Sequence, residues 1–478
     1  MKNAKLWKVL QKLSPREQLR FSKYVASPFF NKHEQVMALY VYLASFLDAP
    51  EEQCPTRQQT QKALTIKDKP HFNHITSYLL QLLLDFLGYL EQEEQPLEQQ
   101  QYKIRALRKR NLTLAIPTTI KQYEQAQQRY PYQDTNLYRQ QYGFYQEQDA
   151  LFLLESTKRY DSNLQQKSDV LDVYYILSKL QIACDMASRN IIIEANYTPH
   201  LLSLIEQVLA EQPDYQEQYP AIAIYATILK MLTTAENEQS YHRLQDLLVQ
   251  HIPLFSLAEG QQLFDYAQNY CIRQINRGAS GYYQEFLELY KLQLKFGILL
   301  KDGFLEEWDF KNIVTVGVRL KDFEWTERFI RNNKKTLKPA VQENAYRYNL
   351  AVYYYATRQY KEALQLLYQV EFTDSTYHLG AKNIQLKSYY ELGESEAFGA
   401  LVDAFRIYVK RNKQLSTYRK EVYFNFLKIA KKLENLKQKK DYISSAKFEA
   451  EKQQLQTYIA ENKAANSDWI ALAWQELQ

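Results

Sequence analysis

Asn344 to Val370 reads NAYRYNLAVYYYATRQYKEALQLLYQV, and its spacing decides the fold. Leu350, Ala351 and Tyr354 are followed by Ala363 and Leu367, a pattern in which small residues let two antiparallel helices approach while larger ones fill the space around them. A weaker copy follows about 36 residues later, where Leu386 and Tyr390 in LKSYYELGESEAFGALVDAF match Leu350 and Tyr354. One helix pair that recurs at a fixed period cannot bury its apolar face alone. It implies a stack.

The rest of the chain agrees. Glycine occurs 11 times and proline 13 times in 478 residues, and glutamine, glutamate, lysine, leucine and alanine lose little rotamer freedom on a helix. Punctuation recurs between apolar-periodic segments. Pro117 opens PTTIKQYEQAQQRY, Thr198-Pro199 opens TPHLLSLIEQVLAEQ, and Asn276 to Gly281 (NRGASG) forms a turn. No sustained alternation calls for a sheet.

In LSPREQLRFSKYVASPFFNKHEQ, Leu13 to Gln35, Ser14, Pro15 and Glu17 make a capping-box start, and Asn31 with Glu34 repeats it. Pro28 pushes Ser27 out of helical angles, so Ser27 to Asn31 is expected to be a joint between helices, with Phe29 or Phe30 plugging the corner. SYLLQLLLDFLGYL, Ser77 to Leu90, is interrupted by Gln81 and Asp85 and falls short of the roughly 20 residues that span a bilayer, so it reads as a buried helix. In NSDWIALAWQELQ, Trp469, Ile470, Ala473, Trp474 and Leu477 share one side of a helix suited to cap a stack.

These readings give an all-α fold, an α-solenoid of antiparallel helix pairs. Three regions are expected: an N-terminal helical cluster at 1–95, a degenerate repeat array at 96–340, and 341–478 with basic helices and a capping helix. The first boundary rests on Glu91 to Gln101, EQEEQPLEQQQ, which reads equally as two helix ends meeting at Pro96. The spacing in 344–370 resembles the tetratricopeptide pattern, with Arg347 where that pattern has Trp and Ser375 where it has Pro. SPFFNKHEQVMALYVYL (Ser27 to Leu43), LDVYYILSKLQIACDM (Leu171 to Met186) and Asp468-Trp469-Ile470 together resemble a family of uncharacterised bacterial helical-repeat proteins. That resemblance implies architecture and carries no chemistry with it.

The chemistry is sparse. Cys54, Cys184 and Cys271 are odd in number and far apart, so no disulfide framework is suggested, and MKNAKLWKVL lacks a leader's apolar core; a cytoplasmic protein is expected. His71 and His74 are spaced for one metal, yet no third ligand stands at a recognised spacing. There is no GxxxxGK and no GxGxxG. Ser280 in GASG lacks the nucleophile-elbow spacing, and EEWD at Glu306 to Asp309 reads as a solvated helix start. No cofactor and no enzymatic activity are expected.

Two surfaces are candidates for binding. Tyr353 and Tyr355 flank Tyr354 on their helix, and with Arg347 they would line a peptide groove. From Phe405 to Lys440, twelve lysines and arginines stand against two acids, Glu421 and Glu434, whereas the whole chain carries only +5, so the remainder is net acidic. There Val422, Tyr423, Phe426, Ala430 and Leu433 make the apolar face. Lys420, Lys428, Lys431, Lys432 and Lys439 are the candidate anion-binding stripe, with a smaller basic cluster at Arg105, Arg108, Lys109 and Arg110. The expected partner is a protein or peptide, with nucleic acid as the alternative.

Overall fold

The computed structural model describes residues 4–47, 49–50, 53–155, 159–193, 195–234, 238–370, 375–440 and 442–477. The fold is all-α, with helices packed on their neighbours and one two-residue-stranded hairpin among the described residues. Contacts separate two compact units, Met1–Gln181 and Ile182–Gln478, and the division falls inside the helix Ser162–Ile193.

The first unit runs through α1 (Lys5–Leu10), α2 (Pro15–Ala26), α3 (Glu34–Ala44), α4 (Arg57–Ala63), α5 (Lys69–Glu93), α6 (Pro96–Lys109), α7 (Ile116–Arg129), α8 (Thr135–Phe152) and α9 (Ser162–Ile193). The Ser77–Leu90 run lies in α5, where Leu79, Leu82, Leu83 and Phe86 join Trp7, Phe21 and Tyr40 in one core. α5 stops at Glu93 and α6 starts at Pro96, so the polar stretch at 91–101 is two helix ends meeting.

The Ser27–Asn31 joint is built differently from the expected double cap. At α2 the capping box is complete: Glu17 N–H donates to Ser14 Oγ (3.3 Å), and Ser14 N–H to the Glu17 carboxylate (2.7 Å). At α3 the N-cap position is His33, without a side-chain cap. Asn31 is instead buried, donating through Nδ2 to the carbonyls of Val25 (2.9 Å) and His33 (3.2 Å) and accepting from His33 N–H (2.9 Å). The corner is held by an amide that satisfies three backbone groups at once. Phe30 stacks on Tyr24 with centroids 4.0 Å apart and stays partly exposed, while Phe29 is 84% exposed.

The second unit continues with α10 (Leu202–Glu211), α11 (Asp214–Gln218), α12 (Pro220–Thr233), α13 (Glu238–His251), α14 (Leu257–Asn276), α15 (Tyr282–Lys295), β1 (Leu300–Lys301) and β2 (Phe304–Leu305). Then follow α16 (Glu307–Arg319), α17 (Phe323–Asn332), α18 (Gln342–Ala356), α19 (Tyr360–Leu367), α20 (Ser375–Leu392), α21 (Ser395–Arg411), α22 (Thr417–Lys439), α23 (Ser445–Glu461) and α24 (Ser467–Gln475). The helix expected to open at Pro199 begins only at Leu202, after Leu201 adopts φ 63°. The β-hairpin LKDGFL turns through Asp302 and Gly303, both at positive φ, the two-residue turn that Asp-Gly favours. Too short to show alternation, it escapes a search for strands.

Hairpins α12–α13, α14–α15, α16–α17, α18–α19 and α20–α21 follow one another, and α12–α14 and α16–α18–α20 also touch, the arrangement of a helical solenoid. The small residues of 344–370 sit where helices must come close: Ala351 and Ala363 are fully buried between α18 and α19. Gly380 serves the same end on α20, because a methyl there would collide with the Tyr348 hydroxyl of α18.

At the joint, Asn31→Ala leaves buried backbone groups unpaired and is expected to lower stability by about 1–3 kcal/mol, whereas Phe29→Ser changes it by less than about 0.5 kcal/mol. Urea midpoints of the two variants check this; equal losses would mean that the corner is held by its rings.

Candidate functional site

The three groove candidates on α18 point to separate partners. Tyr353 is buried and donates to Glu327 Oε2 (3.0 Å), whose other oxygen accepts from Arg331 Nε and Nη2 (2.9 and 2.8 Å). It ties α18 to α17. Tyr354 packs against the core formed by Tyr348, Ala351, Ala363 and Leu367, as its position in the pattern implies, and Tyr355, half-buried, packs there too. Tyr355 meets the Tyr360 ring at 5.6 Å and the Lys387 ammonium at 5.8 Å, and burial, with Glu391 nearby, pushes its phenol well above the usual range. Burial likewise draws the Lys387 ammonium down to about 8, against an opposing pull from Asp468. Arg347 donates through Nη1 to Gln369 O (3.1 Å) and lies 3.6 Å from Glu343, closing the α18–α19 hairpin.

The lysine stripe of α22 is mostly turned onto its neighbours. Lys428 and Lys432 lie over the Tyr458 ring of α23 at 4.1 and 5.3 Å. Lys431 is 3.9 Å from Asp403 and Lys439 3.1 Å from Glu451. Lys420 donates to the carbonyl of Lys410 (3.3 Å) and Lys437 to that of Tyr390 (3.1 Å). The buried face of α22 is broader than its apolar periodicity suggests, including Leu427, Ile429 and Leu436, and also Glu434, which accepts from Ser395 Oγ at 2.5 Å. Within the first unit, Arg105 and Arg108 of the smaller basic cluster clamp the buried carboxylate of Glu147 at 2.5 and 2.9 Å.

What stays open lies at the turn between α21 and α22. Arg406, Lys410, Arg411, Lys413 and Arg419 are exposed there, and none has an ion-pair partner among the described residues. Ile407 and Tyr418 stand exposed among them.

Tyr418 also forms one edge of a cleft of about 630 Å³ between α22, α23 and α24. Val422, Ile429, Ile459, Ile470 and Trp474 line it, with Gln456, Asn462, Lys463 and Ser467 among its polar groups. Its frame is hydrogen-bonded: Ala465 N–H donates to Val422 O (3.0 Å), Asn425 Nδ2 to Lys463 O (3.0 Å), and Tyr458 Oη to Asn425 Oδ1 (3.1 Å). α24 is anchored by Trp469, whose ring meets Tyr390 and Phe426 edge-on at 5.1 and 5.8 Å and whose Nε1–H reaches Glu391 (3.4 Å). Periodicity assigns Val422 and Trp474 to buried faces. That they face an opening follows from the helix lengths around them.

Elsewhere the structure gathers groups that are distant in sequence. His33 joins His71 and His74 around a recess of about 410 Å³, with His71 Nε2 2.7 Å from the Gln35 amide oxygen and His33 edge-on to Tyr78 at 4.8 Å. No group of three or more His, Cys, Asp or Glu placed to hold a metal ion occurs among the described residues. Cys184 and Cys271 are buried and donate to Tyr225 O and Tyr241 Oη, both at 3.2 Å, and burial drives both thiols upward, away from the thiolate. Asp265 of α14 stands near Asp309 of α16: it keeps solvent access, yet desolvation by its surroundings, then the charge of Asp309, push it up to about 6. Asp309 is raised by burial first and Glu306 second.

Compared with known proteins, the chain matches no family model, no curated protein and no solved structure. No described helix is long and apolar enough to cross a membrane.

The acid pair has a definite pH consequence. An unfolded aspartate releases its proton near 3.9, whereas Asp265 holds its proton up to about 6, so stability present below about pH 4 is lost as pH rises through 6. Asp265→Asn is therefore expected to match the parent below about pH 4 and to exceed it above about pH 6. Urea midpoints across that range check the sign; a parallel offset at all pH values would assign the effect to packing.

Proposed function

We propose that the chain is a non-enzymatic helical-repeat scaffold, tetratricopeptide-like in its C-terminal repeats, that binds a protein or peptide segment in the cleft between α22, α23 and α24. The observation that carries this reading is the cleft itself. Its volume of about 630 Å³ suits one or two buried side chains of a partner, and an apolar floor with a polar rim is the form that interface anchors occupy. The partner site thus shifts from Arg347, Tyr353 and Tyr355, whose contacts knit the repeats together, to the far end of the same unit. Free thiols at Cys54, Cys184 and Cys271 suit a reducing cytoplasm.

A nucleic-acid reading draws on the exposed cations between α21 and α22. Against it, Lys431 and Lys439 already face carboxylates and Lys428 and Lys432 cover Tyr458, so the charge forms a patch instead of the track that a phosphate backbone follows.

A displayed random-peptide library selected on the full chain should yield binders with a shared apolar or aromatic anchor. Filling the cleft by Ala460→Trp or Ala471→Trp, both at exposed positions, should leave melting unchanged and weaken those binders at least about tenfold. Unchanged affinity in both variants would remove the cleft from the function.

A further inference from the structure

The cleft and the exposed cations share a boundary. Tyr418 lines the cleft from the first turn of α22, and Arg419 follows it directly; Arg406, Lys410, Arg411 and Lys413 occupy the end of α21 and the turn that leads there. Building on the reading of the cleft as a peptide site, we infer that its occupant is an acidic segment carrying an apolar or aromatic anchor. The anchor enters between Val422, Ile459, Ile470 and Trp474, and flanking aspartates or glutamates meet the five cations.

Three features support that chemistry. The first is the placement of charge on α22. A helix N-terminus carries a partial positive charge that acidic side chains stabilise, yet the first turn of α22 holds no acid, and Arg419 and Lys420 sit there instead. Each such cation opposes the helix dipole, and a partner's carboxylate would relieve it. Lys410 and Arg411 differ: they complement the C-terminus of α21.

The second is contrast with the neighbouring charges. Lys431 faces Asp403 and Lys439 faces Glu451, so further along α22 carboxylates from the chain itself are supplied. Asp403 and Glu421 are the acids on either side of the turn in sequence, and neither makes an ion pair with these five cations among the described residues. The third is the cleft's aliphatic floor. Ile459, Ile470 and Val422 offer side-chain packing to an apolar anchor, whereas a nucleobase would find Trp474 and Tyr418 as its stacking partners and no cation track beyond the turn. Cations of one sign beside an apolar cleft also speed encounter with an acidic segment.

The same library, selected in parallel on the parent chain, on the charge-reversed variant R406E/K410E/R411E/K413E/R419E and on Ala460→Trp, tests the inference. Parent binders should carry an excess of Asp and Glu around the anchor. The charge-reversed variant should keep the anchor and lose the acid excess, and should bind parent-selected peptides at least about tenfold more weakly, with little remaining dependence on salt. Ala460→Trp should lose the anchor. Parent binders with an anchor and no acid excess would overturn the acidic assignment while leaving the cleft as a peptide site. No enriched peptide would overturn both. Displacement of the selected peptides by oligo(dT) at lower concentration than by the peptides themselves, abolished by charge reversal and indifferent to Ala460→Trp, would assign the surface to nucleic acid and also overturn the inference.

Discussion

A helix hairpin in a stack buries its apolar face only by leaning on the next hairpin, and α22–α23 meets that requirement with a single short helix. On one side it has α20 and α21; on the other, Trp469, Ile470 and Ala473 of α24, with Leu477 just beyond it, complete a core that also contains Phe398, Phe405, Phe426 and Leu433. The cover is incomplete because of length. α24 has 9 residues and α22 has 23, about 13 Å against about 35 Å at 1.5 Å per residue, so part of the α22–α23 seam stays uncovered. The cleft is that remainder, with Trp474 and Ile470 on one wall and Val422 and Ile459 on the other.

Within the stack, tyrosine solves a recurring problem. Neighbouring helices must share apolar area and also carry polar groups that specify register, and a phenol does both with two torsions. Tyr225 reaches Glu259 (2.8 Å), Tyr266 reaches Asp185 (2.5 Å) and Tyr353 reaches Glu327 (3.0 Å), each from one helix to another. Their rings are buried, so desolvation raises the phenols of Tyr225 and Tyr266 far above their ordinary range and they remain donors at any physiological pH. These three tyrosines therefore serve joints and not grooves.

Helicity, the capping box at Ser14 and Glu17 and the buried faces of α5 and α24 were legible because each depends on neighbours within a few residues. Asn31 was not: whether an asparagine after a Pro-Phe-Phe turn caps the next helix or ties back to Val25 depends on how two helices meet. The burial of Tyr353 was hidden for a related reason. Helices inside a stack pack on more than one side, so a single apolar stripe no longer marks the buried direction: Tyr354 packs against the α18–α20 core while Tyr353 is buried on the side of Glu327 on α17. Lysines are the hardest to place, since a four-carbon stem lets Lys428 and Lys432 lie across Tyr458 while remaining charged. The candidate cleft was out of reach of periodicity because it is an absence of cover, set by the relative lengths of α22, α23 and α24.

Some cations of the second unit face carboxylates of the chain itself, and those at the α21–α22 turn do not. Lys291 lies near Glu288 and Asp322, Lys334 against Glu343, Lys338 against Glu306, and Lys439 against Glu451. Such exposed pairs contribute only about 0–1 kcal/mol each, so stability does not demand them and their omission at Arg406, Lys410, Lys413 and Arg419 would hardly alter folding. What omission changes is the field. Paired charges cancel within a few ångströms, whereas unpaired cations gathered at one turn act over a Debye length of about 8 Å at physiological salt. Tyr418 lies within that reach because it belongs to the same turn of α22 as Arg419, so the field and the apolar opening are presented to solvent together. A surface that combines both selects by sign as a partner approaches and by shape once it arrives, and neither property is required by the packing of the helices that carry it.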